Sequence, residues 1–161
     1  MTFPLENLDL NDLMLKCIEL AKQANNNNYK PLVGAIVVTP NGMIRGQGYR
    51  DYIGKGLNMI MHAERAALDS AIGYAPGSCL ITTLEPCVRV TRKQLFSSCS
   101  ELIVERGIDT VVYGLLDKSA CFNASAGVNY LYQHGINVKR FNNEAIQELI
   151  IKELMWNPDQ N

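Results

Sequence analysis

Apolar residues in the first part of the chain recur in a helical pattern. They return every three or four positions between about residues 10 and 24, which predicts an amphipathic helix. Asp9 or Asn11 is expected to cap its first turn. The polar run Asn25–Asn28 follows, and asparagine favours the loops that end helices. This part of the chain is therefore predicted to be a helix followed by a polar loop.

A short apolar run and a turn sequence then predict a β-hairpin. Val33–Val38 is typical of a buried strand, and Thr39–Gly42 contains the proline and the Asn-Gly pair that favour a turn. Met43–Tyr49 is expected to form the second strand. Beyond the hairpin, a helix with an alanine-rich face is predicted from His62 to near Gly73, because glycine favours helix ends.

The rest of the chain alternates between strands and helices. The predicted strands are Cys79–Thr83, Thr110–Gly114 and Ile136–Phe141, and the predicted helices are Cys99–Arg106, Gly127–Gln133 and Asn143–Met155. Helices that alternate with short apolar strands predict an α/β sandwich around a mostly parallel sheet. Cys17 and Cys79 fall on apolar faces and are expected in the core. No repeat or linker divides the sequence, so residues 1–161 are expected to form one domain.

Composition and charge restrict the classes of function. The 161 residues carry a net charge of −1, which provides no global basic field and argues against a polynucleotide partner. The apolar runs are far too short to cross a bilayer, so no membrane association is expected. The N-terminal region is acidic and lacks an apolar signal segment, so a cytoplasmic location is expected. Five cysteines, an odd number, favour a metal site or catalysis over a disulfide framework.

Three side chains that bind metals well stand at the ends of predicted elements. His62 begins a helix, Cys87 follows a strand within Glu85-Pro-Cys87, and Cys99 begins the next helix. One imidazole and two thiolates give zinc three protein ligands and leave its fourth position for water, as in catalytic zinc sites. Backbone N–H groups and the helix dipole stabilise a thiolate at a helix N-terminus. His62, Cys87 and Cys99 are therefore predicted to bind Zn²⁺, in preference to Cys121 in a later loop.

Glu64 is predicted to move protons. It lies two positions beyond His62 and is not required as a ligand. Zinc lowers the pKa of a bound water to roughly 7, and a nearby carboxylate can pass that proton to a ring nitrogen and then to a leaving amine. Zinc deaminases carry this arrangement as H-x-E followed by P-C-x-x-C. The first two parts are present here, but eleven residues rather than two separate Cys87 from Cys99.

Further segments occur in the order expected of one enzyme family. They are Val33–Val38, His62–Leu68, Thr83–Cys87, Ser98-Cys99 with Leu102-Ile103, Val111–Gly114, Asp117, and Gly127 with Leu131 and His134–Val138. On these segments the chain resembles the cytidine deaminase-like superfamily, and most of all the deaminase domain of bifunctional riboflavin-biosynthesis proteins. The resemblance covers roughly residues 10–141. In that branch a longer segment separates the two cysteines, as it does here.

This resemblance implies a three-layer α/β/α sandwich with a central mixed five-stranded sheet, and zinc at the N-termini of two helices. It also implies a homo-oligomer, either a dimer or a tetramer. The departures from the riboflavin branch are that Val88–Ser98 replaces a His- and Gly-rich stretch ending in two prolines, Lys30–Leu32 replaces an Asn-containing segment, and Asp117–Ala120 replaces Asp-Pro-Asn-Pro. No reductase domain is expected to follow. The chemistry is therefore expected to transfer from this branch, whereas the substrate is not.

Substrate contacts are predicted at the zinc site and in the long segment between the cysteines. The backbone N–H of Ala63 is expected to contact the ring or the developing charge. Arg89, Arg92 and Lys93 either bind a substrate phosphate or belong to a solvated loop, and Lys118 is a weaker candidate of the same kind. The sequence leaves these alternatives open.

A few other polar and aromatic residues have two interpretations each. Glu85 either orients a ligand or the start of a helix, or it bonds only to backbone. Tyr130, Tyr132 and Trp156 either stack on a base or line a subunit interface. His134 precedes a glycine at a predicted helix C-terminus, where its partial positive charge is favoured, and a metal role is not expected.

The sequence supports one main hypothesis and two alternatives. The main hypothesis is a zinc-dependent hydrolytic deaminase that releases ammonia from a small pyrimidine base, nucleoside or nucleotide. The first alternative is a deaminase of tRNA or another nucleic acid, against which the net charge of −1 counts. The second is a non-catalytic, zinc-containing partner subunit, against which the presence of Glu64 counts. No second metal and no organic cofactor is implied.

Overall fold

The computed structural model describes residues 3–24, 30–53, 59–88, 97–117 and 125–155. After a 3-10 turn at Leu5–Asn7, the helices are α1 (Leu10–Ala21), α2 (Ala63–Ser70), α3 (Cys99–Glu105), α4 (Ala126–Gln133) and α5 (Glu144–Leu154). The strands are β1 (Gly34–Val38), β2 (Ile44–Tyr49), β3 (Asp51–Ile53), β4 (Met59–Met61), β5 (Cys79–Leu84), β6 (Thr110–Leu115) and β7 (Asn137–Arg140). Every predicted helix and strand is present, with ends that shift by a few residues, and Asp9 caps α1. The antiparallel pair of β3 and β4 was not predicted.

The central sheet has five strands in the order β2-β1-β5-β6-β7. Strand β1 runs antiparallel to both β2 and β5, whereas β5, β6 and β7 are parallel. The prediction of a mixed five-stranded sheet is confirmed, with four strands running in one direction and β1 running against them. The short turn at Thr39–Gly42 folds β2 back beside β1, as the predicted hairpin requires. Strand β2 consequently runs in the same direction as β5, and α2 makes the crossover between them.

Helices cover both faces of this sheet, so the predicted three-layer sandwich is confirmed. Helices α1 and α5 pack on one face over a core that includes Met14, Ile18 and Ile150. Helices α2, α3 and α4 cover the other face, where Leu68 and Leu131 are buried. The two predicted core cysteines, on α1 and β5, are fully buried. None of the described helices is both long and apolar enough to cross a membrane.

Close packing of α2 on β2 places the start of α2 beside the hairpin. At Gly48, an added Cβ would lie 2.5 Å from the Cβ of Ala66 and 2.6 Å from the carbonyl oxygen of Ala63. Only glycine allows the helix to approach the strand this closely. The predicted alanine-rich face therefore serves this contact. As a result, His62 and Glu64 are held next to the ends of β1 and β2.

Candidate metal centre and substrate pocket

The structure brings the three predicted zinc ligands together. His62 occupies the N-cap position of α2, Cys87 follows β5, and Cys99 is the first residue of α3. The Nδ1 atom of His62 lies 3.4 Å from the Sγ of Cys99 and 3.7 Å from the Sγ of Cys87. The ligand atoms of all three residues lie within 4.8 Å of one another. Together these residues form a group that could hold one metal ion.

The first turn of α3 fixes the position of Cys87. Ser98 caps this helix by accepting the backbone N–H of Glu101 at 3.2 Å. The backbone N–H of Cys99 donates to the Sγ of Cys87 at 3.3 Å, and the N–H of Ser100 donates to the Cys87 carbonyl at 3.0 Å. The Cys87 sulfur therefore receives a backbone donor from the helix start, which favours its thiolate form.

Hydrogen bonds within the cluster shift the pKa values of all three candidate ligands. A hydrogen bond from the Cys99 thiol lowers the pKa of Cys87 far below its usual range, and the hydrogen bond to His62 adds to this effect. That same bond to Cys87, together with burial, raises the pKa of Cys99, and the hydrogen bond to Cys87 raises the pKa of His62. A zinc ion bound by these three groups would displace the protons of Cys99 and His62 and stabilise both thiolates.

Glu64 lies beside this cluster as a buried carboxyl group. It is 4% exposed, and burial is the main cause that raises its pKa above the usual range. Its Oε2 atom lies 3.6 Å from the Sγ of Cys99, and its Oε1 atom lies 3.2 Å from the Oγ1 of Thr82. A buried carboxyl group with a raised pKa, next to a candidate metal site, is suited to general acid–base chemistry. The role of Glu64 itself remains a prediction.

A pocket of about 190 Å³ opens onto the cluster. Its lining residues are Pro31, Val33, Arg50, His62, Ala63, Glu64, Leu84, Glu85, Cys87 and Asp117. The predicted contact residue Ala63 is therefore in the wall, although its contact with a substrate stays a prediction. Arg50 donates from Nη1 to the carbonyl of Pro31 at 2.7 Å, and its backbone N–H bonds to the Val33 carbonyl.

Arg50, Pro31 and Val33 were missed by the sequence interpretation. The hairpin carried a usable signal, because β1 pairs with β2 so that Gly34 lies opposite Tyr49. In this register the residue after Tyr49 must lie beside the residue before Gly34. Arg50 is thereby brought to the mouth of the site, and a predicted hairpin with this register would have found it.

Glu85 ties the pocket wall to α4. Its carboxylate accepts the backbone N–H groups of Asp117 at 3.1 Å, Ser125 at 3.2 Å and Val128 at 3.0 Å. The three donors are backbone N–H groups and two of them belong to the start of α4, so the described contacts fit both bonding to backbone and the orientation of a helix start. At Gly127, an added Cβ would lie 2.0 Å from the carbonyl oxygen of Pro86, so α4 sits directly against the segment that carries Cys87.

Comparison with known proteins identifies a family. Residues 8–115 match the cytidine and deoxycytidylate deaminase zinc-binding region. The chain belongs to this family. It is 38% identical over 128 residues to the riboflavin biosynthesis protein RibD of Actinobacillus pleuropneumoniae, and the match covers 79% of this chain and 31% of that relative.

Solved structures of deaminases share the fold of this chain. One is a diaminohydroxyphosphoribosylaminopyrimidine deaminase/5-amino-6-(5-phosphoribosylamino)uracil reductase from Thermotoga maritima, with 32% identity, a TM-score of 0.66, and coverage of 90% of this chain and 39% of that one. Another is the dCMP deaminase of cyanophage S-TIM5, with 25% identity, a TM-score of 0.61, and coverage of 82% and 96%. The chain spans about a third of the length of the riboflavin-biosynthesis relatives that it matches. The predicted resemblance to the deaminase superfamily and its riboflavin branch is confirmed.

Several residues that the sequence analysis considered lie outside the described residues. These are Arg89, Arg92, Lys93, Lys118, Cys121 and Trp156. Tyr130 and Tyr132 are described, and neither lines the pocket: Tyr130 stacks on His134 with ring centroids 4.1 Å apart, and the Tyr132 hydroxyl donates to the Val138 carbonyl. His134 lies at the C-terminal end of α4, as predicted, and its Nδ1 donates to the Tyr130 carbonyl at 2.8 Å.

Proposed function

We propose that the chain is a zinc-dependent hydrolytic deaminase of a small pyrimidine base, nucleoside or nucleotide. The observation that carries this proposal is the cluster of His62, Cys87 and Cys99 with the buried carboxyl of Glu64 beside it. One imidazole and two thiolates suit zinc, and three protein ligands leave the open position that catalytic zinc sites need. The family match and the RibD relative, whose name assigns it to riboflavin biosynthesis, support the same chemistry.

His62, Cys87 and Cys99 would hold the metal, and Glu64 would move the protons. When bound, zinc supplies Lewis-acid activation of water near neutral pH. The Glu64 carboxylate would take one proton from the attacking water and deliver it to a ring nitrogen. It would then take the second proton of that water from the new hydroxyl group on the ring carbon and give it to the leaving amine. In this reaction the carbon of the ring gains an oxygen, loses its amino group, and releases ammonia. The raised pKa of Glu64 supports this role, because it eases proton uptake by the carboxylate.

The size of the pocket fits a substrate with one ring. A volume of about 190 Å³ is below the usual size of sites for drug-like ligands, so larger substituents would extend towards the mouth. The backbone N–H groups of Ala63 and Cys87 would contact the ring or the developing charge, and both residues line the pocket. Arg50 adds a guanidinium group to the wall, and guanidinium groups bind acidic substituents through paired hydrogen bonds.

We make four further proposals about the protein: residues 1–161 form one domain, the protein is cytoplasmic, it assembles as a dimer or a tetramer, and Arg89 and Lys118 contact a substrate phosphate. Native mass measurement tests the assembly, and cell fractionation tests the location. Substitution of Arg89 and Lys118 by glutamine tests the phosphate contacts through the KM of a phosphorylated substrate.

Ammonia release from a substrate panel tests the proposal. The panel contains cytosine, cytidine, CMP, dCMP, adenosine, guanine and the phosphorylated pyrimidine named for the Thermotoga relative. We expect turnover of one pyrimidine member by the zinc-loaded protein. Glu64→Gln should lower kcat by about a thousandfold while zinc stays bound, because the general acid–base is lost. The surface variant Glu148→Gln, on the exposed side of α5, serves as the matched control.

Three outcomes would overturn the proposal. Equal kcat values for the wild type and Glu64→Gln would remove Glu64 from the chemistry. Stoichiometric zinc with a silent panel would favour a non-catalytic partner subunit, and turnover confined to RNA would favour a nucleic-acid deaminase.

A further inference from the structure

A polar side chain interrupts an apolar row on the central strand β5. Leu80, Thr82 and Leu84 alternate along the face of β5 that points towards α2 and α3. The two leucines belong to the core of that face, and Thr82 is fully buried between them. A buried hydroxyl group costs free energy unless it is hydrogen-bonded, so its partners indicate what it does.

The Thr82 hydroxyl has two partners. Its Oγ1 atom lies 3.2 Å from Oε1 of Glu64 and 3.1 Å from the carbonyl oxygen of Leu84. A hydroxyl group has one proton to donate and can also accept. It therefore donates to only one of these oxygens at a time. When the Thr82 hydroxyl donates to the Leu84 carbonyl, it can still be hydrogen-bonded to Glu64, but only if a protonated Glu64 carboxyl group donates to Oγ1.

We propose that Thr82 is the positioning residue for the Glu64 carboxyl group, an inference that rests on the proposed function of Glu64. While Glu64 is ionised, the Thr82 hydroxyl donates to its Oε1. While Glu64 holds the transferred proton, its O–H donates to Thr82, which turns its own proton to the Leu84 carbonyl. The carboxyl group thus stays bonded in both halves of the proton transfer.

The position of the second carboxyl oxygen follows from this contact. With Oε1 held by Thr82, Oε2 is directed towards the metal cluster, where it lies 3.6 Å from the Sγ of Cys99. A free rotation about the end of the Glu64 side chain would exchange or displace these two oxygens. The bond from Thr82 to Oε1 opposes that rotation. Proximity effects are steep, and a displacement of about 1 Å can lower a rate by about a hundredfold.

The neighbouring residue Thr83 provides a matched control. It is also fully buried, but it lies on the opposite face of β5, and its Oγ1 accepts the backbone N–H of Gly34 at 3.2 Å. Replacing either threonine by valine removes one buried hydroxyl and keeps a β-branched shape. The hydroxyl of Thr82 bonds to Glu64, whereas that of Thr83 bonds to Gly34. The two variants therefore separate the positioning of Glu64 from a purely structural role.

The test compares Thr82→Val, Thr82→Ser and Thr83→Val with the wild type, each loaded with zinc. For the pyrimidine that the wild type turns over, Thr82→Val should lower kcat by 10- to 100-fold, with KM within twofold and zinc still stoichiometric. Thr82→Ser restores the hydroxyl and should recover kcat to within about threefold. Thr83→Val should lower the melting temperature and keep kcat within about twofold, because the Gly34 N–H loses its acceptor.

Crystal structures of the zinc-loaded wild type and Thr82→Val give a readout that does not depend on turnover. We expect the Glu64 carboxyl to rotate or to adopt two conformers in the variant. An unmoved carboxyl, or an unchanged kcat in Thr82→Val, would overturn the inference. A silent wild type would instead overturn the proposed function, and the position of the carboxyl would then decide the inference alone.

Discussion

The carboxylate of Glu85 accepts the backbone N–H of Val128 across 3.0 Å, although 43 positions separate the two residues. Because Glu85 lies two residues before Cys87, this bond connects the segment that carries a proposed zinc ligand to the first turn of α4. The N–H groups of Asp117 and Ser125 bond to the same carboxylate, so one side chain holds three separate backbone donors. The geometry of the proposed metal site thus depends on a residue that is not itself in the ligand set.

Replacement of Glu85 is expected to destabilise the fold and weaken zinc binding together. Glu85→Ala leaves three backbone N–H groups without their acceptor and should lower the free energy of unfolding by about 3 kcal/mol. Glu85→Gln keeps one carbonyl oxygen and should lose roughly half as much. Urea unfolding and a zinc titration of each variant measure the two effects. Glu148→Ala, at an exposed position, should change stability by less than about 0.5 kcal/mol. A stable Glu85→Ala protein with unchanged zinc affinity would contradict the prediction.

The contact between β2 and α2 predicts a second stability effect. Gly48→Ala would place a Cβ 2.6 Å from the Ala63 carbonyl and should cost about 2 to 3 kcal/mol through overpacking. Because α2 begins directly after His62, the displaced helix should also weaken zinc binding. Gly73→Ala is the control, since its Cβ would meet nothing within 4 Å and only its φ of +89° is unfavourable, at about 1 kcal/mol. Equal zinc affinities for the two variants would argue against the role of this contact.

The buried thiol of Cys79 predicts a loss of stability at alkaline pH. Burial raises the pKa of Cys79 from 9.0 to about 12, so its folded-state pKa is the higher one. Below pH 9 the thiol is protonated in both the folded and the unfolded state, and its contribution to stability is fully present. As pH rises from 9 towards 12, the unfolded state loses the proton first, so the free energy of unfolding decreases by about 1.4 kcal/mol per pH unit. Between pH 9.5 and 10.5, the free energy of unfolding should therefore fall by about 1 kcal/mol less in Cys79→Val than in the wild type. Parallel curves of unfolding free energy against pH would contradict this expectation.

Hydrophobic periodicity was sufficient to predict the main elements of this fold. The five helices of the described residues and the strands of the central sheet coincide with patterns that depend only on local spacing and on turn residues such as Gly107 and Gly135, both at positive φ. The metal cluster was also predictable, because His62, Cys87 and Cys99 each stand at the end of an element. Ends of elements that share one edge of a sheet meet in space.

Features that depend on pairing between distant strands were harder to predict. The antiparallel pairing of β1 with β5 was not evident from the sequence, because the predicted hairpin fixes only the direction of β2 against β1. Arg50 was missed because its place depends on the register of the hairpin, and Thr82 because an apolar strand pattern says nothing about its hydrogen-bond partners. Arg50 lines the pocket and Thr82 bonds to the carboxyl group proposed to be catalytic, and sequence preferences are least informative at functional sites.

Arg50 leads to a prediction about substrate charge. The bond from its Nη1 to the Pro31 carbonyl fixes the guanidinium group in the pocket wall, where it can bind an acidic substituent in a defined orientation. For the pyrimidine that the panel identifies, Arg50→Gln should raise KM for the phosphorylated form about tenfold, a loss of about 1.4 kcal/mol, and change KM for the unphosphorylated form by less than twofold. Arg50→Lys should recover only part of this loss, since an ammonium group lacks the paired donors of a guanidinium group. Arg140→Gln, at an exposed position on β7, is the control. Equal increases in KM for both forms would instead assign Arg50 to holding the segment at Pro31.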